Sequence, residues 1–121
     1  MKGKVIALCL CVMLLLTACS QAVEVTLEDV EQAVQTVDPD FTFSISEEDK
    51  PMYAMIQAKD GWIGYLNGTT PVKVYEYEST DAYESAKEAF APMMDDWPVV
   101  GNFVLECNNA DVQTAFNALN P

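Results

Sequence analysis

The chain predicts an α+β domain: a two-layer, mostly antiparallel sheet of about four to five strands with helices packed on one face. Three observations predict it. Several short runs alternate apolar with polar residues and are rich in β-branched and aromatic types. Three other segments carry apolar residues at helical spacing behind polar caps. Their order along the chain is helix, strand, three-strand meander, helix, strand, helix, which suits a sheet covered by helices.

Thr26 with Asp29 three positions on has the form of a capping box, and Leu27, Val30, Val34 and Val37 follow at helical spacing, so a first helix is expected to about Val37. Asp38-Pro39 ends it. Phe41, Phe43 and Ile45 alternate with polar residues as in a short strand, and Ser46 to Lys50 is a polar loop. Met52 to Ala58 is an apolar run of strand length. Lys59-Asp60-Gly61 then reads as a hairpin turn, with Trp62 to Leu66 as the returning strand. Asn67-Gly68 tolerates positive φ at both positions and makes the next turn, before a strand from Val72 to Tyr77.

Ser79 or Asp81 caps a second helix whose buried stripe is Tyr83, Ala86, Phe90 and Met93, and Pro92 ends or bends it near Ala91. Val99 to Cys107 is largely apolar on both faces and predicts one central strand. Asn108 or Asn109 caps a last helix with Val112, Ala115, Phe116 and Leu119 on one face.

The start of the chain carries a different pattern. Lys2 and Lys4 precede an uninterrupted apolar run from Val5 to Leu16, the charged and apolar regions of an export signal. A membrane span needs roughly 20 apolar residues, and Thr17, Ser20 and Gln21 interrupt this run first. The run closes in Leu16-Thr17-Ala18-Cys19, which resembles the lipobox of bacterial lipoproteins. The resemblance covers only the first 19 or so residues. It implies cleavage between Ala18 and Cys19 and a diacylglycerol on the Cys19 thiol. The expected organisation is a removed signal over 1–18, a lipidated cysteine and short tether over 19–25, and a single domain over 26–120. Two acyl chains, at about 0.8 kcal/mol per buried methylene, suffice for stable attachment, and a tether this short reaches about 20 Å at most.

Cys9 and Cys11 lie in the segment to be discarded and lipidation consumes Cys19, so Cys107 remains as a single thiol. It follows Phe103 and Leu105 at alternating positions and is expected in the core as a small hydrophobe.

Charge bounds the partners. The chain has 19 acidic residues, six lysines, and neither arginine nor histidine. All the acids follow Cys19 while Lys2 and Lys4 precede it, leaving four lysines and a net charge of minus 15 beyond the expected cut. Neutralising phosphates needs clustered Lys or Arg, so no nucleic acid is expected as partner, nor binding to anionic lipid through a basic face.

No catalytic residue is expected. Without histidine there is no imidazole base, no nucleophile paired with one and no histidine-bearing zinc site. The five glycines form no phosphate-cradling loop. Glu47-Glu48-Asp49, Asp95-Asp96 and Glu76 with Glu78 are the available carboxylate pairs, and acids in loops of a small domain are usually solvated. Asp38, Asp40 and Glu47 to Asp49 are the acids available to calcium, without the alternating ligands and glycine of a calcium loop. Trp62 and Trp97, with Tyr53, Tyr65, Tyr75 and Tyr77, offer either an exposed platform for a sugar or peptide or, as expected for strand residues, core packing.

A second resemblance involves Val74 to Ala82, a strand running into a helix cap, and Gly101-Asn102-Phe103-Val104-Leu105. Both are similar to segments of small uncharacterised lipoproteins of Gram-positive bacteria, over about a third of the domain. The resemblance implies fold and location and adds no chemistry. The functional expectation is a membrane-anchored extracytoplasmic lipoprotein, held to the cell membrane (or the outer membrane of a two-membrane cell) through Cys19. Its domain is expected to be a non-catalytic interaction module binding an envelope protein or a cationic ligand, without cofactor or metal. The alternative is a small-ligand or calcium-binding lipoprotein.

Overall fold

The computed structural model describes residues 24–120, so the expected signal, the cleavage position at Ala18 and the anchor at Cys19 lie outside the described residues. The described chain is α+β, with three helices and one four-stranded sheet in which every pairing is antiparallel.

Helix α1 (Leu27–Gln35) starts at the predicted capping box. Asp29 N donates to Thr26 Oγ1 at 3.2 Å, and Thr26 N donates back to the Asp29 carboxylate at 2.9 Å. Two amides that the helix cannot satisfy are thereby satisfied reciprocally. Val30, Ala33 and Val34 form its buried stripe.

Strands β1 (Asp60–Leu66) and β2 (Thr70–Glu76) make the predicted hairpin, with positive φ at Asn67 (51°) and Gly68 (76°). The segments before it differ from expectation. Met52 to Ala58 is not a strand: Tyr53–Ile56 winds into a 3-10 turn closed by Gln57 in the left-handed region (φ 64°). An apolar run of this length fits a buried turn as well as a strand, and composition does not separate them. Lys59-Asp60-Gly61 is accordingly no hairpin turn but the entrance to β1, where Lys59 N donates to Glu76 O at 2.7 Å. Phe41 to Ile45 is extended, but it forms no ladder. Ser44 N donates to Ile63 O at 2.8 Å, while Phe43 N turns instead to the Glu31 carboxylate at 2.9 Å.

Helix α2 (Thr80–Ala89) is capped by Ser79, not Asp81: Ala82 N donates to Ser79 Oγ at 3.1 Å. Tyr83 and Ala86 are buried as expected. Met93 is 52% exposed and Met94 takes the core position, because the helix ends before Pro92 and its periodicity no longer applies.

The expected single strand from Val99 to Cys107 is two strands, β3 (Val99–Val100) and β4 (Phe103–Glu106), folded back at Gly101 with φ 59°. Alternation continues through a tight turn, which hides the turn from a periodicity argument. Helix α3 (Ala110–Asn117) starts at Asn109, whose Oδ1 accepts from the amides of Asp111 (3.0 Å) and Val112 (3.1 Å).

The strand order is β1-β2-β4-β3, with Trp62 opposite Val74 and Val74 opposite Leu105. Residues with that parity, together with α1 and α3, form one cluster containing Val30, Val34, Val72, Val74, Leu105, Val112 and Phe116. On the opposite parity, Tyr75 and Val104 pack with Tyr83 and Ala86 of α2 and with Ile56 of the 3-10 turn. Helices thus cover both faces rather than the one expected: α1 and α3 lie on one, and α2 with the 3-10 turn on the other. Pro71 lies in β2 just beyond its pairing with β4, which spans Lys73 to Glu76; continued, that register would set Pro71 against Asn108. Its missing N–H therefore removes no ladder bond.

Candidate functional site

At one end of the α1/α3 face, β1 begins, β2 ends and β4 begins. The alternation of β1 puts Trp62 on this face, half-buried, with its ring 6.4 Å from that of Phe103. The chain entering α1 crosses the same end. A depression of about 640 Å³ results, lined by Glu24, Val25, Leu27, Trp62, Glu76 and Phe103 among others. A second, of about 280 Å³, is lined by Leu27, Glu31, Phe43, Ile45, Lys50 and Trp62 among others. Leu27 and Trp62 line both, so the two adjoin as a groove that carries Glu24 and Glu76 in one part and Glu31 and Glu47 in the other.

The groove already holds a cation. Lys50 Nζ lies 5.3 Å from the Trp62 ring centroid, donates to Asp60 Oδ1 at 2.7 Å and stands 3.6 Å from Glu47 Oε1. The hydrogen bond to Asp60 raises the Lys50 pKa above its ordinary value, so the ammonium stays charged. Asp60 is fixed in turn by Gly61 N at 2.8 Å. Cation, aromatic face and carboxylate together are the elements of amine recognition. Glu76 meets Lys59 only at 3.9 Å, and Glu24 has no ion-pair partner among the described residues.

The carboxylates named for chemistry take other roles. Asp38 is buried and accepts from Asn67 N (2.8 Å) and Asp40 N (3.1 Å), which ties the end of α1 to the β1–β2 turn. Asp49 accepts from Ser44 Oγ at 2.6 Å, and Glu47 faces Lys50. Glu48, Glu78, Asp95 and Asp96 are exposed. Among the described residues no three carboxylates or thiols gather as a metal-ligating group.

Tyr75 and Tyr77 are core residues, as expected of strand aromatics. Tyr75 stacks on Trp97 with centroids 5.8 Å apart and donates to Glu106 Oε1 at 2.6 Å; burial first, and then that bond, push its phenol up. Cys107 is buried, and burial pushes its thiol up, consistent with a packing role rather than a reactive one.

Tyr65 is the strand aromatic that departs from the expected core packing, at 53% exposed, whereas Trp62 packs half-buried against the α1/α3 cluster; alternation gives the face each occupies but not how much of it stays open. Glu24, Glu31 and Glu76 carried no sequence signal as a group. Only the register of β1 on β2 and the path into α1 bring them together.

The chain matches no protein-family model, no curated protein and no solved structure.

Proposed function

We propose that the protein is a lipoprotein anchored through Cys19 to the outer face of a bacterial membrane, and that its domain is a non-catalytic interaction module. The Leu16-Thr17-Ala18-Cys19 motif supports the anchor. The groove at Trp62 supports the module, because an aromatic ring, several carboxylates and an already seated ammonium coincide there. Glu24 to Leu27 line that groove, so a tether over 19–25 would hold it close to the bilayer.

Mass analysis of the protein isolated from membranes tests the anchor. The expected product begins at Cys19, carries a diacylglyceryl thioether and lacks residues 1–18; an unmodified Cys19 thiol overturns the assignment. Cys19→Ala should leave the protein uncleaved or released from the membrane. Retrieval from native membranes tests the module, the expected result being a co-isolating envelope protein that dissociates as salt rises.

The groove volume of about 640 Å³ also falls in the range of small-molecule sites and favours a small-ligand reading as second. Melting with calcium, with chelator and with cell-wall fragments separates the two. A rise of several degrees with one small ligand favours the second reading, because a ligand bound only by the folded state stabilises it by mass action.

A further inference from the structure

We propose that the Trp62 groove seats an extended basic segment of another polypeptide, with a lysine or arginine side chain lying between Trp62 and the carboxylates of Glu24 and Glu76. This deepens the interaction-module reading and rests on it. Four observations carry it.

The groove has the chemistry of an ammonium seat, since Lys50 already occupies one such position between the Trp62 ring and Asp60. The carboxylates that line the first depression are at most weakly paired among the described residues. Glu24 has no ion-pair partner among the described residues, and Glu76 shares only the 3.9 Å contact with Lys59. The field agrees, because four lysines against 19 acids across the described chain draw cations and repel anions. The extent of the groove favours a peptide over a lone amine. It adjoins the second depression, where Ile45, 99% exposed, offers apolar surface to a side chain flanking the cation. A basic side chain also brings an aliphatic stem that covers the ring while its charge stays at the carboxylates.

The test uses the full chain in detergent micelles, titrated calorimetrically with a short synthetic peptide alternating lysine and valine. Binding is expected, weakened about tenfold or more by Glu24→Gln with Glu76→Gln, the loss typical of desolvated charge pairs. Trp62→Leu should weaken it similarly. Glu84→Gln with Glu88→Gln on α2 removes the same charge far from Trp62 and should change the affinity less than threefold. The same peptide with every lysine acetylated should not bind.

Equal losses in both glutamine pairs would overturn the groove assignment in favour of attraction by the whole acidic surface. Equal binding of the acetylated peptide would overturn the cation's role, and tetramethylammonium displacing the peptide at matching concentration would make this a lone-amine site. Absence of any binding sinks the inference alone, because co-isolation of an envelope partner tests the module reading independently.

Discussion

Tyr77 shows how much one side chain carries in a domain of this size. Its hydroxyl donates to Ile56 O at 2.8 Å and its ring meets Tyr83 edge-on at 5.6 Å, so a single residue just after β2 joins that strand's exit, the 3-10 turn and α2. Burial, and then the nearby Tyr83, push its phenol from 10.0 up to about 12. An unfolded tyrosine deprotonates near pH 10, so above that pH the unfolded chain binds fewer protons than the folded one. The tyrosine's contribution is therefore complete below about pH 10 and is lost as pH rises toward 12. Tyr75 and Lys50, whose pKa values are also raised, act in the same direction. In urea titrations across pH, stability should decline on the alkaline side. Tyr77→Phe should lower neutral-pH stability by about 1–3 kcal/mol, through an unsatisfied Ile56 carbonyl, and should flatten part of that decline. An alkaline limb identical in the variant would mean that another group titrates there.

Among the elements, the extended stretch from Phe41 to Ile45 depends on a gap in its neighbour. Gly64 lies beneath it on the α1/α3 face, and a Cβ there would come within 2.5 Å of the Phe41 ring and 2.6 Å of Thr42 O. Because backbone as well as side chain obstructs, Gly64→Ala should cost about 1–3 kcal/mol, the usual penalty of overpacking. It would read as a lower urea midpoint at unchanged slope, and an unaltered midpoint would contradict the close approach. The same stretch marks what sequence periodicity can and cannot give. Alternation correctly put Phe41 and Phe43 inward, yet strand pairing also needs a partner edge, and here Phe43 N found Glu31 instead. The caps at Thr26, Ser79 and Asn109 were legible because each is a local hydrogen bond within three residues. The candidate site was not, because Glu24, Trp62, Glu76 and Phe103 meet only through tertiary register.

For the whole molecule, the excess of negative charge acts on stability as a global term. Nineteen acids face four lysines over the described chain, and three ion pairs form among the described residues, two of them sharing Lys50. Self-repulsion should outweigh these pairs, so the melting temperature should rise as salt is raised from about 10 mM to about 0.5 M, over which the screening length shrinks several-fold. A fall would show the ion pairs to be the larger contribution. The route of the chain has a smaller and more local origin. Pro71 offers no hydrogen to a longer β4, so pairing Asn108 would bring one ladder bond fewer, and the β2–β4 pairing stops at Glu106. Asn109 is then free to start α3, which returns to lie beside α1 and closes the core with Val112 and Phe116. One absent proton thus weakens the case for a longer sheet at the point where the final helix takes over.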